Sequence, residues 1–160
     1  MDILAGGLIL GLLLGVPSPQ APSQPESTPE YEQRDQPVTA EDLRILQRAD
    51  EILSDPSLWD RHDDRVCSPE DRTWSLFCAL QKASIEVLGE YQHRRAALQE
   101  VRFAVEEATK GMELEHRLMD FNNLPSTRFE DVKKVLATAA ERVKARLAAS
   151  APNAGAGSSG

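Results

Sequence analysis

Two short sequences carry the residue types of a metal centre, Glu90-Tyr-Gln-His93 and Glu113-Leu-Glu-His116. On a helix, Glu at i and His at i+3 share a face, and two such helices with two further Glu residues complete a di-metal carboxylate site. Here Glu90 and Glu113 each follow a helix-ending glycine, Gly89 or Gly111, by one or two residues. Neither motif is then mid-helix, and the two fall on helices adjacent in sequence. Glu90, His93, Glu113 and His116 are therefore a weak ligand set, and no metal or other cofactor is expected. Arg61-His62-Asp63-Asp64-Arg65 offers an imidazole beside two carboxylates, the raw material of an acid–base site. Alternating charges in a connection are ordinarily solvated, and no matching ligand cluster lies nearby. The sequence has no phosphate-cradling Gly loop, CxxC, nucleophile elbow or HExxH. Enzymatic activity is thus the less favoured reading, and no catalytic residue is assigned.

Two further features invite a binding role. Trp59 and Trp74 are conspicuous in a chain with only 5% aromatics, since a large ring is either a core anchor or an interface hot spot. The corner Phe121-Asn122-Asn123 most simply ends a helix, because Asn tolerates the left-handed conformation and bonds its own backbone.

The elements that must position these residues are helices. A Ser or Thr is followed three residues later by an acid at Thr39/Asp42, Ser68/Asp71 and Thr127/Glu130, each just ahead of an apolar series at helical spacing. The first helix is expected from Ala40 to Leu53, with Leu43, Leu46, Ala49, Ile52 and Leu53 on one side. The second is expected from Pro69 to Gly89, with a stripe through Trp74, Phe77, Cys78, Gln81, Ile85 and Leu88. The third runs from Gln92 to Thr109, with Ala97, Val101, Ala104, Val105 and Ala108 inward. A short fourth carries Leu114, Leu118 and Phe121. The fifth, Arg128 to Leu147, shows the clearest amphipathic pattern. Nothing reads as a strand, so the chain is expected to be all-α, a small single-domain bundle of about five helices over residues 39–149.

Outside that domain, Ile3 to Val16 form an apolar leader or anchor within residues 1–16, residues 17–38 a disordered Pro/Ser/Gln/Glu linker, and residues 150–160 a disordered tail. As a helix the apolar run spans only about 21 Å against a hydrocarbon core of about 30 Å, a better length for a signal h-region than for a span. The n-region, however, is Met1-Asp2, and Pro follows both Ser18 and Ala21. Net charge is −8 and no segment is basic enough to track phosphates, so nucleic acid is not an expected partner. If the second helix starts at Pro69, the Cα atoms of Cys67 and Cys78 lie about 15 Å apart, too far for a bridge. Two free thiols favour a reducing compartment and a cytoplasmic domain, tethered to the membrane through residues 3–16; export by a signal within residues 1–21 is the alternative.

The chain also resembles a known family. Leu46-x-Arg48-Ala49, Asp55-Pro56 with Trp59, a charged connection, Trp74-Ser75-Leu76 with Ala79-Leu80-x-Lys82-Ala83, then Phe121-Asn122-Asn123 with Thr127 and the stretch Val132 to Ala139 occur in the order seen in the bacterial domain of unknown function 6197 family. The resemblance covers about residues 43–143. It departs where Phe121 and Asn123 stand for Trp and Asp, and where Phe77-Cys78 replaces small residues. It implies a small helical bacterial domain and brings no reaction, cofactor or partner. The expected function is a non-enzymatic module binding a protein or small ligand, with a surface around Trp59, His62, Asp63, Asp64, Phe121, Asn122 and Asn123. The alternative is a small metal-dependent or hydrolase-like enzyme using His62, His93 or His116 with nearby carboxylates.

Overall fold

The structure is a computed structural model that describes residues 33–151. The apolar leader, most of the linker and nearly all of the tail lie outside the described residues. Five helices follow in order: α1 (Ala40–Ile52), α2 (Leu76–Leu88), α3 (Ala96–Ala108), α4 (Arg117–Asn123) and α5 (Phe129–Ser150), with a single 3₁₀ turn at Pro56–Leu58. There is no strand among the described residues beyond one isolated parallel bridge between Trp59 and Trp74. The all-α expectation holds.

α1 packs on α2 and α5, and α3 packs on α5 and α4. One contiguous core results, from Ile45, Leu46, Ala49 and Leu53 of α1, Leu76, Ala79, Leu80 and Ala83 of α2, Leu98, Val101 and Val105 of α3, and Val132, Leu136, Ala139 and Val143 of α5. The small side chains of Ala49, Ala79, Ala83 and Ala139 in this core leave room for helix backbones to approach while Leu and Val fill the space between them.

Two of the three helix-start signals need correction. Thr39/Asp42 opens α1 as read, the Thr39 N–H donating to Asp42 Oδ2 at 2.8 Å. Ser68/Asp71 makes the same backbone contact, Ser68 N–H to Asp71 Oδ2 at 2.8 Å, but closes only a turn. α2 begins at Leu76, capped by the Ser75 hydroxyl accepting from Cys78 N at 3.1 Å. At α5 the acid in the box is Asp131, which accepts from Arg128 N at 2.9 Å, while the Thr127 hydroxyl donates to Phe121 O at 2.7 Å. The late start of α2 also turns its stripe. Leu76, Ala79, Leu80, Ala83 and Ser84 face inward, and Ile85, expected inside, is 44% exposed. Ala108 of α3 and Leu114, which precedes α4, likewise stay out of the sealed core.

The same shift overturns the reading of the cysteines. Because residues 67–75 fold back instead of extending as helix, Cys67 and Cys78 approach to a Cα–Cα distance of 5.4 Å and form a disulfide. Neither thiol is free, so the inference of a reducing compartment loses its support.

Residues 33–38, assigned to the linker on composition, are bonded to the domain. Gln99 Nε2 donates to Gln33 O and to Asp35 Oδ1, and Arg146 Nη2 donates to Gln36 O at 2.6 Å. Glu100, fully buried in α3, holds both Arg34 at 3.2 Å and Arg146 at 2.8 Å. A carboxylate so buried is tolerated because two guanidinium groups satisfy it.

Candidate functional site

The connection from Leu53 to Ser75 has almost no regular structure to satisfy its backbone, and side chains do that work. Trp59 and Trp74 bring its two limbs together, Asp60 N–H donating to Trp74 O at 3.0 Å and Trp74 N–H to Leu58 O at 2.7 Å. At the end of α4, Asn122 is fully buried. Its Oδ1 accepts from Trp59 Nε1 at 2.8 Å and from Leu76 N at 3.0 Å, while its Nδ2 donates to Asp60 O at 3.0 Å. One amide thus ties the first limb, the start of α2 and the end of α4. Asn123 repeats the device one step out: its Oδ1 accepts from Asp63 N and its Nδ2 donates to Asp63 O, both at 2.8 Å. Arg61 adds donation from one nitrogen to the carbonyls of Pro125 and Thr127 at 3.3 and 3.1 Å, its guanidinium 5.2 Å from the Trp59 ring.

The acids of the connection serve its own turns. Asp55, Asp60, Asp63 and Asp64 each accept, through Oδ1, the N–H two residues on, at 2.7 to 2.9 Å. These are Asx turns, in which a short side chain replaces a backbone acceptor. Asp55 is held below its ordinary carboxylate value by donors from Ser57. Asp63 is the exception: it is buried, its Oδ2 has no hydrogen-bond partner, and desolvation pushes its pKa up, opposed in part by the Arg65 N–H and the Ser75 hydroxyl. The turn at Asp63 leads into Arg65, the one non-glycine described residue with positive φ, at 64°. Such a conformation costs about 1–3 kcal/mol and persists where its surroundings over-determine it. Here the Asp63 carboxylate, the Asn123 amide and the disulfide at Cys67 do so.

The expected binding surface is therefore split. Trp59, Asn122, Asn123 and Asp63 do converge, as one internally bonded staple. Phe121 is a core residue at 3% exposure, not a surface one. His62 projects away, its side chain 96% exposed and its Nδ1 3.9 Å from Asp60 Oδ1, and Asp64 is exposed beside it. No acid–base pair is assembled from His62. Neither Glu-x-x-His lies on a helix: Glu90 and His93 occupy the α2–α3 connection, Glu113 and His116 the α3–α4 connection. The i, i+3 face that would make them ligands is not formed, and no group of three or more His, Cys, Asp or Glu able to hold a metal is gathered among the described residues.

Those two connections nevertheless meet the 59–75 connection in a cluster that sequence reading missed. Phe77 and Tyr91 pack edge-to-face with centroids 6.1 Å apart, and the Arg65 guanidinium lies 5.9 Å from the Phe77 ring. Arg65 Nη1 is 3.4 Å from His116 Nε2, and Tyr91 Oη is 3.4 Å from His93 Nδ1. Burial raises the Tyr91 pKa, opposed by the charges of Arg102 and Arg65. No spacing announces this cluster, since its members come from the start of α2 and from three connections. A second omission is Asp42, fully buried, which besides capping α1 accepts from Arg95 at 3.1 and 3.0 Å and from Ala97 N at 3.0 Å. The Thr39/Asp42 box was visible; its partner 53 residues on was not.

Neither a curated protein nor a solved structure matches the chain. The sequence pattern of a family of unknown function, DUF6197, matches residues 37–142. That span takes in α1, the stapled connection, the Asn122–Asn123 corner and most of α5, so the chain belongs to the family of unknown function DUF6197.

Proposed function

We propose that this domain is a non-enzymatic binding module that engages a protein or small ligand through the outward side of the 59–66 segment and the adjoining corner. The observation that carries this reading is the combination of irregular backbone and fixed backbone. A segment with neither helix nor strand is held by Asn122, Asn123 and Arg61, and is forced at Arg65 into left-handed geometry. Holding a loop in one strained shape presents His62, Asp64, Arg65 and Val66 as a preorganised set, and preorganisation lowers the entropic cost of association. Val66, at 73% exposure, gives the set an apolar contact point. Buried Asp63, Phe121 and Asn122, with the half-buried Trp59 ring and the Asn123 amide, position that set instead of touching the partner.

On this reading the module works in an oxidising compartment, where a disulfide persists. Residues 3–16 would supply the route there or the anchor. No helix among the described residues is long and apolar enough to cross a membrane. The test is site-specific photo-crosslinking of the full chain in cells of its source, with the probe at His62 or Asp64 and, as control, at Lys134 on α5. Adducts from both loop positions and none from the control are expected; equal yield from all three positions would remove the assignment. Alkylation trapping before lysis should find Cys67 and Cys78 unlabelled.

A further inference from the structure

We infer that Arg65 and His116 form an oxyanion-binding site, taking a carboxylate or a phosphate group at the edge of the Phe77–Tyr91 pair. This rests on the binding reading above and names the ligand chemistry of that surface. Arg65, like Arg61, Arg72 and Arg128, makes no ion pair among the described residues, but of these it is the one set against an imidazole. Among the described residues its guanidinium has a single hydrogen-bonding neighbour, and that neighbour is another base, His116 Nε2 at 3.4 Å. A guanidinium has donors only, so the contact requires a neutral imidazole presenting a lone pair. Protonation of His116 turns the pair into two donors at hydrogen-bonding distance, which an oxyanion placed between them satisfies together. Charge-assisted pairing of this kind is where arginine outperforms lysine, because its planar fork matches the oxygen spacing of carboxylate and phosphate.

The nearby acids do not already fill the role. Asp63 and Asp64 are turned onto the N–H groups of Arg65 and Val66, and the Asp120 carboxylate accepts the His116 backbone N–H at 2.8 Å. His116 is thus bonded by the Arg65 side chain at its ring and by the Asp120 carboxylate at its backbone. Behind Arg65, the Phe77 ring packs its cationic plane and Tyr91 closes the apolar side.

The experiment titrates inorganic phosphate, and separately acetate, into the full chain at constant ionic strength while NMR follows the His116 ring. A saturable shift with a Kd on the order of 1 mM is expected for one exposed pair. Saturation by phosphate alone assigns a phosphate group; saturation by acetate alone or by both assigns a carboxylate. Arg65→Gly fits the left-handed backbone without a side chain, so it keeps the fold and should abolish the shift, and Arg65→Lys should weaken it several-fold. No saturation with either anion, or saturation unchanged in Arg65→Gly, overturns the inference. Neither result touches the crosslinking test, which reports partner contact at His62 and Asp64.

Discussion

Replacing Asn122 by Ala should be among the costliest single changes in the domain. The substitution removes an acceptor from Trp59 Nε1 and Leu76 N and a donor from Asp60 O, all at a fully buried position. Each lost bond is worth about 1 kcal/mol net, and a buried partner left unsatisfied costs about 1–3 kcal/mol. Trp59 is partly exposed and can recover water, so the sum is about 3–5 kcal/mol, against about 5–15 kcal/mol for a whole domain. In urea this is a midpoint lower by about 2 M at an m-value of about 2 kcal/mol/M. Asn123→Ala breaks three bonds, but at an exposed position where water can replace them, and should cost only about 1 kcal/mol. Asn122→Asp is the sharper probe: it keeps the shape but sets an acceptor against Asp60 O, so it should be at least as damaging as Ala at pH 7 and recover towards pH 4 as it protonates. A double-mutant cycle with Trp59→Phe, which deletes the indole N–H together with part of the ring while keeping an aromatic side chain, should give a coupling of about 1 kcal/mol. If Asn122→Ala costs no more than Asn123→Ala, or Asn122→Asp is tolerated at neutral pH, the staple is not what holds the connection.

Four further outcomes follow from the same geometry. Reducing the disulfide, or changing Cys67 and Cys78 to Ala, should cost up to about 3 kcal/mol by freeing a loop of sequence separation 11, read from denaturation with and without dithiothreitol. Asp63 titrates above its ordinary 3.8, so its neutral form favours folding: its contribution is fullest below 3.8 and is lost as pH rises through the raised folded value. The stability of wild type relative to Asp63→Asn should therefore fall between pH 3.5 and pH 7, and a flat or rising difference would contradict the desolvated carboxylate. Glu100→Gln should release residues 33–38 from α3 and α5, seen as faster hydrogen exchange there with α1 unaffected. Arg65→Gly trades strain relief against a more flexible unfolded chain, and its stability should stay within about 1 kcal/mol of wild type.

Much of the fold was legible because it is local. Apolar periodicity fixed the number of helices and the inward faces of α1 and α5, and Thr39/Asp42 marked the start of α1 to the residue. The family resemblance, too, rested on short motifs in order. Local signals failed where two structures shared them: Ser68/Asp71 makes the contact of a helix start, yet the chain turns instead, because Trp74 must reach Leu58 and Asp60. That single displacement carried the error in the cysteines with it.

The sequence by itself determined an all-α domain of five helices and the residues from which a site would have to be drawn. Tertiary structure alone decided what those residues do. Asn122 became a staple because three elements meet at one amide; Glu100 became an anchor because packing brings Arg146 of α5 against α3; Arg65 met His116 because the α1–α2 and α3–α4 connections approach each other in space. Helix propensity is set by neighbours within about four residues, whereas burial and charge pairing depend on distances that only the packed chain defines.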